Sequence, residues 1–433
     1  MKNLFALFSI LFLNFCMPVI SRDRNPSSGK KLIVLSIDGF PGYYLKEGSA
    51  VLHIMPNLKK LLSRSVHSNQ VSTVYPSLTF PAHTSMITGA DPAKHGIFYN
   101  NPPDPFKKLE GDWYFFREDI KTLTLFDYMK RSGKKTASLY WPVTVGADID
   151  WNIPQYWKNK TKYDEKYLRA LSTPGLYSEL HRKTGSTVGE FTGDEEKVMS
   201  AIAVWQHYSP DFMTVYTTDL DTAHHVSGVS SEAAMQKISN IDRLLGKLIS
   251  AVRLYERDDV GLLVTSDHGF KEVNAVCYPN KVLMDTGAAD TDTGKWSYLF
   301  KSLGGTAVLL KNPDRKSRKN FSLDMDDLRK KIEGGCENVI LADSGDKFKT
   351  ARKKLSSEIE AFLYTEKNTA FSESLGAKEL FKQTGTYYNH GFLPEDSDLK
   401  TIGIFYPANE EYRMNTVKDV FVNSCRWMNV ACR

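Results

Sequence analysis

The sequence predicts an α/β fold in which a mainly parallel central sheet is flanked by helices. Short, unbroken apolar runs end abruptly in acidic or histidine-bearing turns, as strands buried on both faces of a parallel sheet do. Segments with apolar residues at three-and-four spacing lie between these runs, and such alternation implies an α/β architecture. The residue types that carry chemistry follow the apolar runs directly, and ligands in open α/β sheets bind at the carboxyl ends of the strands.

The elements follow in chain order. Residues 1–21 have the layout of a secretory leader. Lys2 precedes an apolar run over 4–13 that Phe15, Val19 and Ile20 continue; Ser21 is small, and Arg22-Asp23-Arg24-Asn25 turns polar. The run falls short of the ~20 residues a membrane span needs, so a secreted, periplasmic or extracellular chain is expected. An uncleaved leader is the alternative, as an N-terminal anchor. Leu13-Asn14-Phe15 before Cys16 lacks the small residues of a lipidation site, and no transmembrane segment is expected in the mature chain.

Lys31-Leu32-Ile33-Val34-Leu35-Ser36-Ile37 reads as the first strand, ending at Asp38-Gly39-Phe40. Helical spacing is expected over 55–65, and over 125–131 with Gly133 as the stop. Strands are expected over 136–140 and 212–218, the second just before Asp219 and Asp221. Residues 232–255 carry Ala234, Ile238, Ile241, Leu244, Leu245, Leu248 and Val252 on one amphipathic face. A strand over 260–265 leads into Ser266-Asp267-His268-Gly269. The more polar stretch 274–385 is read as insertions with returning elements inside a single catalytic domain over 22–433.

Charge and cysteine usage bound the rest. The 433 residues carry a formal net charge of +5, small for this size, and the basic run 311–319 is expected as a solvated loop. No nucleic-acid-binding module is evident. Beyond the leader the cysteines are Cys277, Cys336, Cys425 and Cys432, an even set compatible with two disulfides in an exported chain. Cys425 with Cys432, close in sequence, is the preferred pair, leaving Cys277 with Cys336. No C-x-x-C spacing suggests a cysteine zinc site. Asn159-Lys160-Thr161 and Asn320-Phe321-Ser322 are glycosylation sequons.

The chemistry gathers around Thr79, in Tyr75-Pro76-Ser77-Leu78-Thr79-Phe80-Pro81-Ala82-His83. Alone, a threonine between prolines is a turn residue, and Asp38-Gly39 is an ordinary turn pair. Together, Asp38, Asp221, His225, Asp267, His268 and His390 form a carboxylate and imidazole set suited to metal binding. Asp221 and His225, four apart, share one helical face, and adjacent Asp267 and His268 can reach one ion from a tight turn. A hydroxyl beside such a centre becomes a nucleophile near neutral pH.

These motifs, with His95-Gly96-Ile97-Phe98-Tyr99-Asn100, Gly228 and His390-Gly391, resemble those of the nucleotide pyrophosphatase/phosphodiesterase family, within the alkaline phosphatase superfamily. The resemblance runs from about Lys31 to beyond His390 and implies an alkaline-phosphatase-like fold with two zinc ions. One ion would be held by Asp221, His225 and His390, the other by Asp38, Asp267, His268 and the oxygen of Thr79. It implies that Asn100 donates its amide to a phosphate oxygen, and that Phe80 and Tyr163 wall the leaving-group pocket. The activity implied is hydrolysis of a small phosphodiester or nucleotide through a phospho-threonine intermediate. Alternatives on the same site are a phosphomonoesterase or a hydrolase of lysophospholipid and choline diesters. Of another class is a binding protein without turnover, which loss of a ligand would mark; all seven positions are present.

Two departures stand out. The chain has Asp219-Leu220-Asp221 and His224 where the family pattern has Glu-Pro-Asp and glycine, so Asp219 or His224 competes for the metal in an alternative register. Trp141-Pro142-Val143 lacks the glycine that usually follows Trp-Pro.

Overall fold

The computed structural model describes residues 29–104, 106, 112–159, 161, 163–184, 193–314, 321–356 and 358–433. The leader expected over 1–21, Cys16, Asn320 and most of the basic run lie outside these residues.

Seven strands form the main sheet: β1 (Lys31–Ile37), β2 (Val66–Val71), β3 (Thr136–Leu139), β4 (Trp151–Ile153), β5 (Phe212–Thr217), β6 (Val260–Thr265) and β7 (Thr401–Tyr406). Their order is β2-β7-β6-β1-β5-β3-β4. β1 pairs in parallel with both β5 and β6, and β3 with β5 and β4. β7 runs antiparallel to its neighbours β6 and β2.

The helices around the sheet include α1 (Pro56–Leu62), α2 (Thr79–Thr88), α3 (Leu125–Arg131), α4 (Asp194–Tyr208), α5 (Asp219–Ser227), α6 (Glu232–Ala251) and α7 (Asp419–Met428). Every residue of β1 is buried, because helices cover both faces. Ile33, Leu35 and Ile37 pack into one layer with Val198 of α4 and Ile238, Ile241 and Leu245 of α6. Leu32 and Val34 face the other layer, with Phe80 and Met86 of α2, Met129 of α3 and Trp427 of α7. The strand's two-residue alternation thus divides one apolar run between two cores.

The elements end where local backbone demands it. α6 stops at Ala251, short of the 255 that periodicity suggests, because Arg253 adopts a left-handed φ of 53° and a 3₁₀ turn follows. β3 stops at Leu139, where Tyr140 takes φ 63°. α1 begins at Pro56, whose ring suits a first helical position. Thr79 does not sit in a turn: it is the first residue of α2, with Pro81 tolerated in the first turn, where its missing N–H has no helical partner.

The polar stretch 274–385 carries a sheet of its own. Tyr298–Ser302, Ala307–Lys311, Ile359–Thr365 and Val339–Ala342 pair antiparallel in that order. They enclose Phe300, Leu309, Leu328, Ile332, Leu341 and Leu363. Disulfides join Cys277 to Cys336 and Cys425 to Cys432, the pairing expected from sequence. A third sheet sets Lys271–Cys277 between Thr369–Phe371 and the antiparallel Phe381–Asn389, in the register Asn389 opposite Lys271. Among the described residues no helix is long and apolar enough to cross a membrane.

His95 closes the turn after α2. Its Nδ1 accepts the Ile97 N–H at 3.1 Å, so Nε2–H donates to Ser85 Oγ at 2.9 Å. Burial pushes its pKa down from 6.5 to about 3. The unfolded chain protonates this imidazole near 6.5 while the fold holds it neutral, so its contribution is full above 6.5 and is lost as pH falls. Urea melts at pH 7 and pH 5 should show wild type losing about 2 kcal/mol more than His95→Gln, from about 1.4 kcal/mol per pH unit. Equal losses would mean that His95 is not held neutral.

Candidate active site

Three adjacent parallel strands bring the acidic clusters together. Asp38 follows β1, Asp221 lies in the first turns of α5 after β5, and Asp267 and His268 follow β6. Because the order is β6-β1-β5, their carboxyl ends are neighbours. Gly39 makes the crowding possible. Its φ is +64°, and a Cβ there would meet Phe270 Cε2 at 2.6 Å and Asp221 Cα at 3.3 Å.

His390 arrives from far along the chain. The ladder register puts Asn389 opposite Lys271, which carries the next residue to the turn after β6. The His390 and His268 rings stack at 3.7 Å with 13° between planes. Gly391 permits the exit at φ +81°, where a Cβ would lie 1.5 Å from Leu303 O.

Each ring is held by one nitrogen, leaving the other for the cluster. His268 Nδ1 donates to Gly269 O at 3.2 Å and His390 Nδ1 to Ser77 O at 3.0 Å. His268 Nε2 lies 3.2 Å from Asp267 Oδ2 and 3.6 Å from Asp38 Oδ1. His225 Nε2 is 3.5 Å from Asp221 Oδ1, as the four-residue spacing predicts. Ligand atoms of Asp38, Asp267 and His268 lie within 4.8 Å of one another, as do those of Asp221, His268 and His390. His268 therefore stands between two groups.

These residues fit a divalent cation on electrostatic grounds. Asp38 Oδ1, Asp221 Oδ1, Asp267 Oδ2 and His268 Nε2 are buried without a hydrogen-bond partner. Burial and the neighbouring carboxylates push the Asp38 and Asp221 carboxyls well above the usual range. Burial also holds His268 and His390 well below the ordinary imidazole value, keeping both neutral as metal ligands must be. Two carboxylates 4–5 Å apart repel by about 3–4 kcal/mol at an effective dielectric of about 20. The hydrogen bonds from Tyr216 O–H to Asp38 and from Gly39 N–H to Asp267 each offset only about 1–3 kcal/mol. A bound cation would offset the excess.

Thr79 is tied to this cluster through His83. Nδ1–H of His83 donates to Thr79 O at 2.8 Å and lies 3.7 Å from Asp267 Oδ2, while Nε2 accepts from Ser36 Oγ at 2.9 Å. On the other side, Ser77 O accepts from both His390 Nδ1 and Gly391 N–H. Asn100 Oδ1 accepts the Phe80 N–H at 2.9 Å, which leaves its amide NH₂ as the outward donor. Leu78, Asn100, Gly304 and Asn389 line a cavity of about 270 Å³. It shares Asn101 and Lys301 with a larger one of about 960 Å³ beside Trp296 and Phe300.

The remaining sequence expectations fall differently. Phe80, expected on the leaving-group wall, is fully buried, with Trp113, Phe115 and Trp157 within 5.1–6.3 Å of its ring. Packed against those rings, it has no exposed surface to offer a substrate. Tyr163 is 68% exposed and its ring lies under Lys166 Nζ, so it forms no wall with Phe80. The competing register also finds other partners. Asp219 pairs with Lys237 at 2.8 Å, and His224 is buried with Nε2 on Tyr44 Oη at 2.8 Å.

Sequence reasoning missed Phe270, Tyr216 and the tethering role of His83. Phe270 is buried and touches the rings of His224, His225, His268 and His390 at 4.8–5.7 Å. Its place directly after Asp267-His268-Gly269 was the available signal.

Comparison with known proteins converges on one family. The family model described as type I phosphodiesterase / nucleotide pyrophosphatase matches residues 32–374. Ectonucleotide pyrophosphatase/phosphodiesterase family member 3 of Mus musculus is 26% identical over 256 residues, 56% of this chain and 25% of that protein. A venom phosphodiesterase of Macrovipera lebetinus is 25% identical over 253 residues, 56% of this chain and 26% of its own. The aligned part thus spans about a quarter of these relatives' length. Murine ectonucleotide pyrophosphatase/phosphodiesterase 5, solved as an inactive variant in complex with AMP, superposes with TM-score 0.66 at 19% identity. That superposition covers 93% of this chain and 96% of the other.

Metal content separates the two registers of α5. Asp221→Ala and His225→Ala should each lose bound metal by elemental analysis, with diester turnover falling by several orders of magnitude. Asp219→Ala should keep its metal and lose about 10–100-fold in rate. His224→Ala should keep its metal but melt earlier, because it empties a buried ring position and removes one hydrogen bond from Tyr44 Oη, which keeps only Val229 O, a lost bond of about 0.5–1.5 kcal/mol. Loss of metal in His224→Ala with retention in His225→Ala would reverse the assignment.

Proposed function

The chain belongs to the type I phosphodiesterase / nucleotide pyrophosphatase family, and on that premise we propose that it is an exported, zinc-dependent hydrolase of phosphodiester or pyrophosphate bonds in small molecules. The observation that carries the proposal is the set of buried, partnerless carboxylate and imidazole atoms beside the start of α2. Asp221, His225 and His390 would hold one zinc ion, and Asp38, Asp267, His268 and the Thr79 oxygen the other. Such a pair of ions supplies the positive charge that favours the Thr79 alkoxide and neutralises phosphoryl oxygens.

The chain's own groups do the rest. Thr79 Oγ1, its proton given up to solvent, attacks phosphorus in line as the bond to the leaving oxygen breaks, and the departing alcohol or phosphate takes its proton from water. The Asn100 amide, fixed through the Phe80 N–H, donates to a non-bridging oxygen as charge builds there. α2 contributes its N-terminal partial positive charge at the same point. A water then displaces Thr79 from phosphorus in a second in-line step and regenerates the hydroxyl.

The second substituent of a diester is accommodated on the Asn101 and Lys301 side, where the cavities adjoin. Lys301, which lines both cavities, is engaged by Glu373 at 2.9 Å, so its charge is already paired when a doubly charged monoester arrives. That favours diesters over monoesters. Export is supported by the two disulfides and by relatives named as ectoenzymes and venom enzymes.

Purified protein should carry about two zinc ions and hydrolyse a chromogenic diester faster than the matching monoester, with chelator abolishing both. Thr79→Ala should abolish turnover while leaving the melting curve and most metal in place, and Thr79→Ser should retain part of the rate. Near wild-type turnover by Thr79→Ala would remove the covalent mechanism, and activity surviving complete chelation would remove the zinc requirement.

A further inference from the structure

A buried ion pair outside the cluster holds the helix that presents Asp221 and His225. Lys197, on α4, is fully buried, and Asp194, one turn earlier, is 1% exposed. Lys197 Nζ lies 3.7 Å from Asp194 Oδ1 and donates to Thr218 Oγ1 at 2.5 Å. Asp194 Oδ1 accepts the Thr218 N–H at 2.8 Å, and Oδ2 accepts the Asp219 N–H at 3.2 Å.

The first N–H groups of a helix have no partner within it and normally bond the side chain of the N-cap residue. Thr218 occupies the N-cap of α5 but makes no capping bond, since its hydroxyl oxygen receives Lys197. The capping acceptor comes instead from Asp194, twenty-four residues upstream. Outside this pair, Lys237 of α6 binds the Asp219 carboxylate at 2.8 Å, and Lys247 of α6 binds Glu195 at 2.7 Å. The start of α5 is thereby fixed against both α4 and α6.

Buried ion pairs add little net stability, and their best-attested use is to set a register. Here the register matters because Asp221 and His225 follow the pinned residues by less than two turns, and slipping by one residue would present Leu220 and His224 to the cluster. We propose that Asp194 and Lys197 are positioning residues for the metal-binding face of α5, Asp194 acting through the backbone N–H groups of Thr218 and Asp219 and Lys197 through the Thr218 hydroxyl. The inference rests on the zinc reading of the cluster given above.

The test uses the full mature chain, stripped of metal and titrated calorimetrically with Zn²⁺. The double variant Asp194→Asn/Lys197→Met leaves no unpaired buried charge. It should melt cooperatively, weaken one of two zinc-binding events about 10–100-fold and leave the other unchanged. Diester kcat should fall by a similar factor, with KM within about threefold. Thr218→Val, which removes only the lysine's acceptor, should weaken the same event, and Thr218→Ser should restore it. A folded double variant that binds both ions as tightly as wild type overturns the proposal. If the double variant fails to fold, unchanged zinc binding by Thr218→Val overturns it instead. Wild-type protein that binds no zinc overturns the functional reading beneath it, a result distinct from either.

Discussion

The constraint on which this molecule turns is the confinement of the Asp38, Asp221 and Asp267 carboxylates at the ends of β1, β5 and β6. Parallel neighbours deliver their following residues to the same edge of the sheet, so the order β6-β1-β5 makes the meeting unavoidable. Repulsion at these distances exceeds what single hydrogen bonds return. The surroundings shield Asp38 and Asp267 from water and leave Asp221 partly exposed, an arrangement open to a cation. Tyr216 takes one oxygen of Asp38, Gly39 N–H takes one of Asp267, and the opposite oxygens stay unpartnered.

The histidines obey the same logic from the other side. His268 and His390 each use Nδ1 on a backbone carbonyl and present Nε2, which sets the tautomer a ligand needs. Phe270 then occupies the space among four imidazoles, where any shift of one ring is felt by the rest. His83 carries the coupling to α2, because one ring touches Ser36, Thr79 and Asp267. The nucleophile candidate and the cluster are therefore parts of one packed unit, and remote supports such as the Asp194–Lys197 pair act on the same unit through α5.

Much of this was legible in the sequence. Continuous apolar runs marked β1, β5 and β6, and their acidic ends marked the site, because a strand buried on both faces leaves only its termini for chemistry. Asp221 and His225 could be paired from helical spacing, and both disulfides from cysteine count and proximity. Elements with weaker patterns escaped. β2 reads Val-His-Ser-Asn-Gln-Val, with only its end residues buried, and the sheet within 274–385 has short strands set among polar segments.

By itself, then, the sequence determined which residues are chemically equipped, which strands carry them and which helical face unites Asp221 with His225, since local periodicity encodes all three. Only the tertiary structure decided the rest. The ladder between Lys271–Cys277 and Phe381–Asn389 brings His390 onto His268 across more than a hundred residues, and no local pattern encodes a register between distant strands. Packing likewise buried Phe80 under Trp113, Phe115 and Trp157, sent His224 to Tyr44 and gave Asp219 to Lys237. A side chain's chemistry is written in its residue type, but its availability depends on which neighbours the fold sets against it.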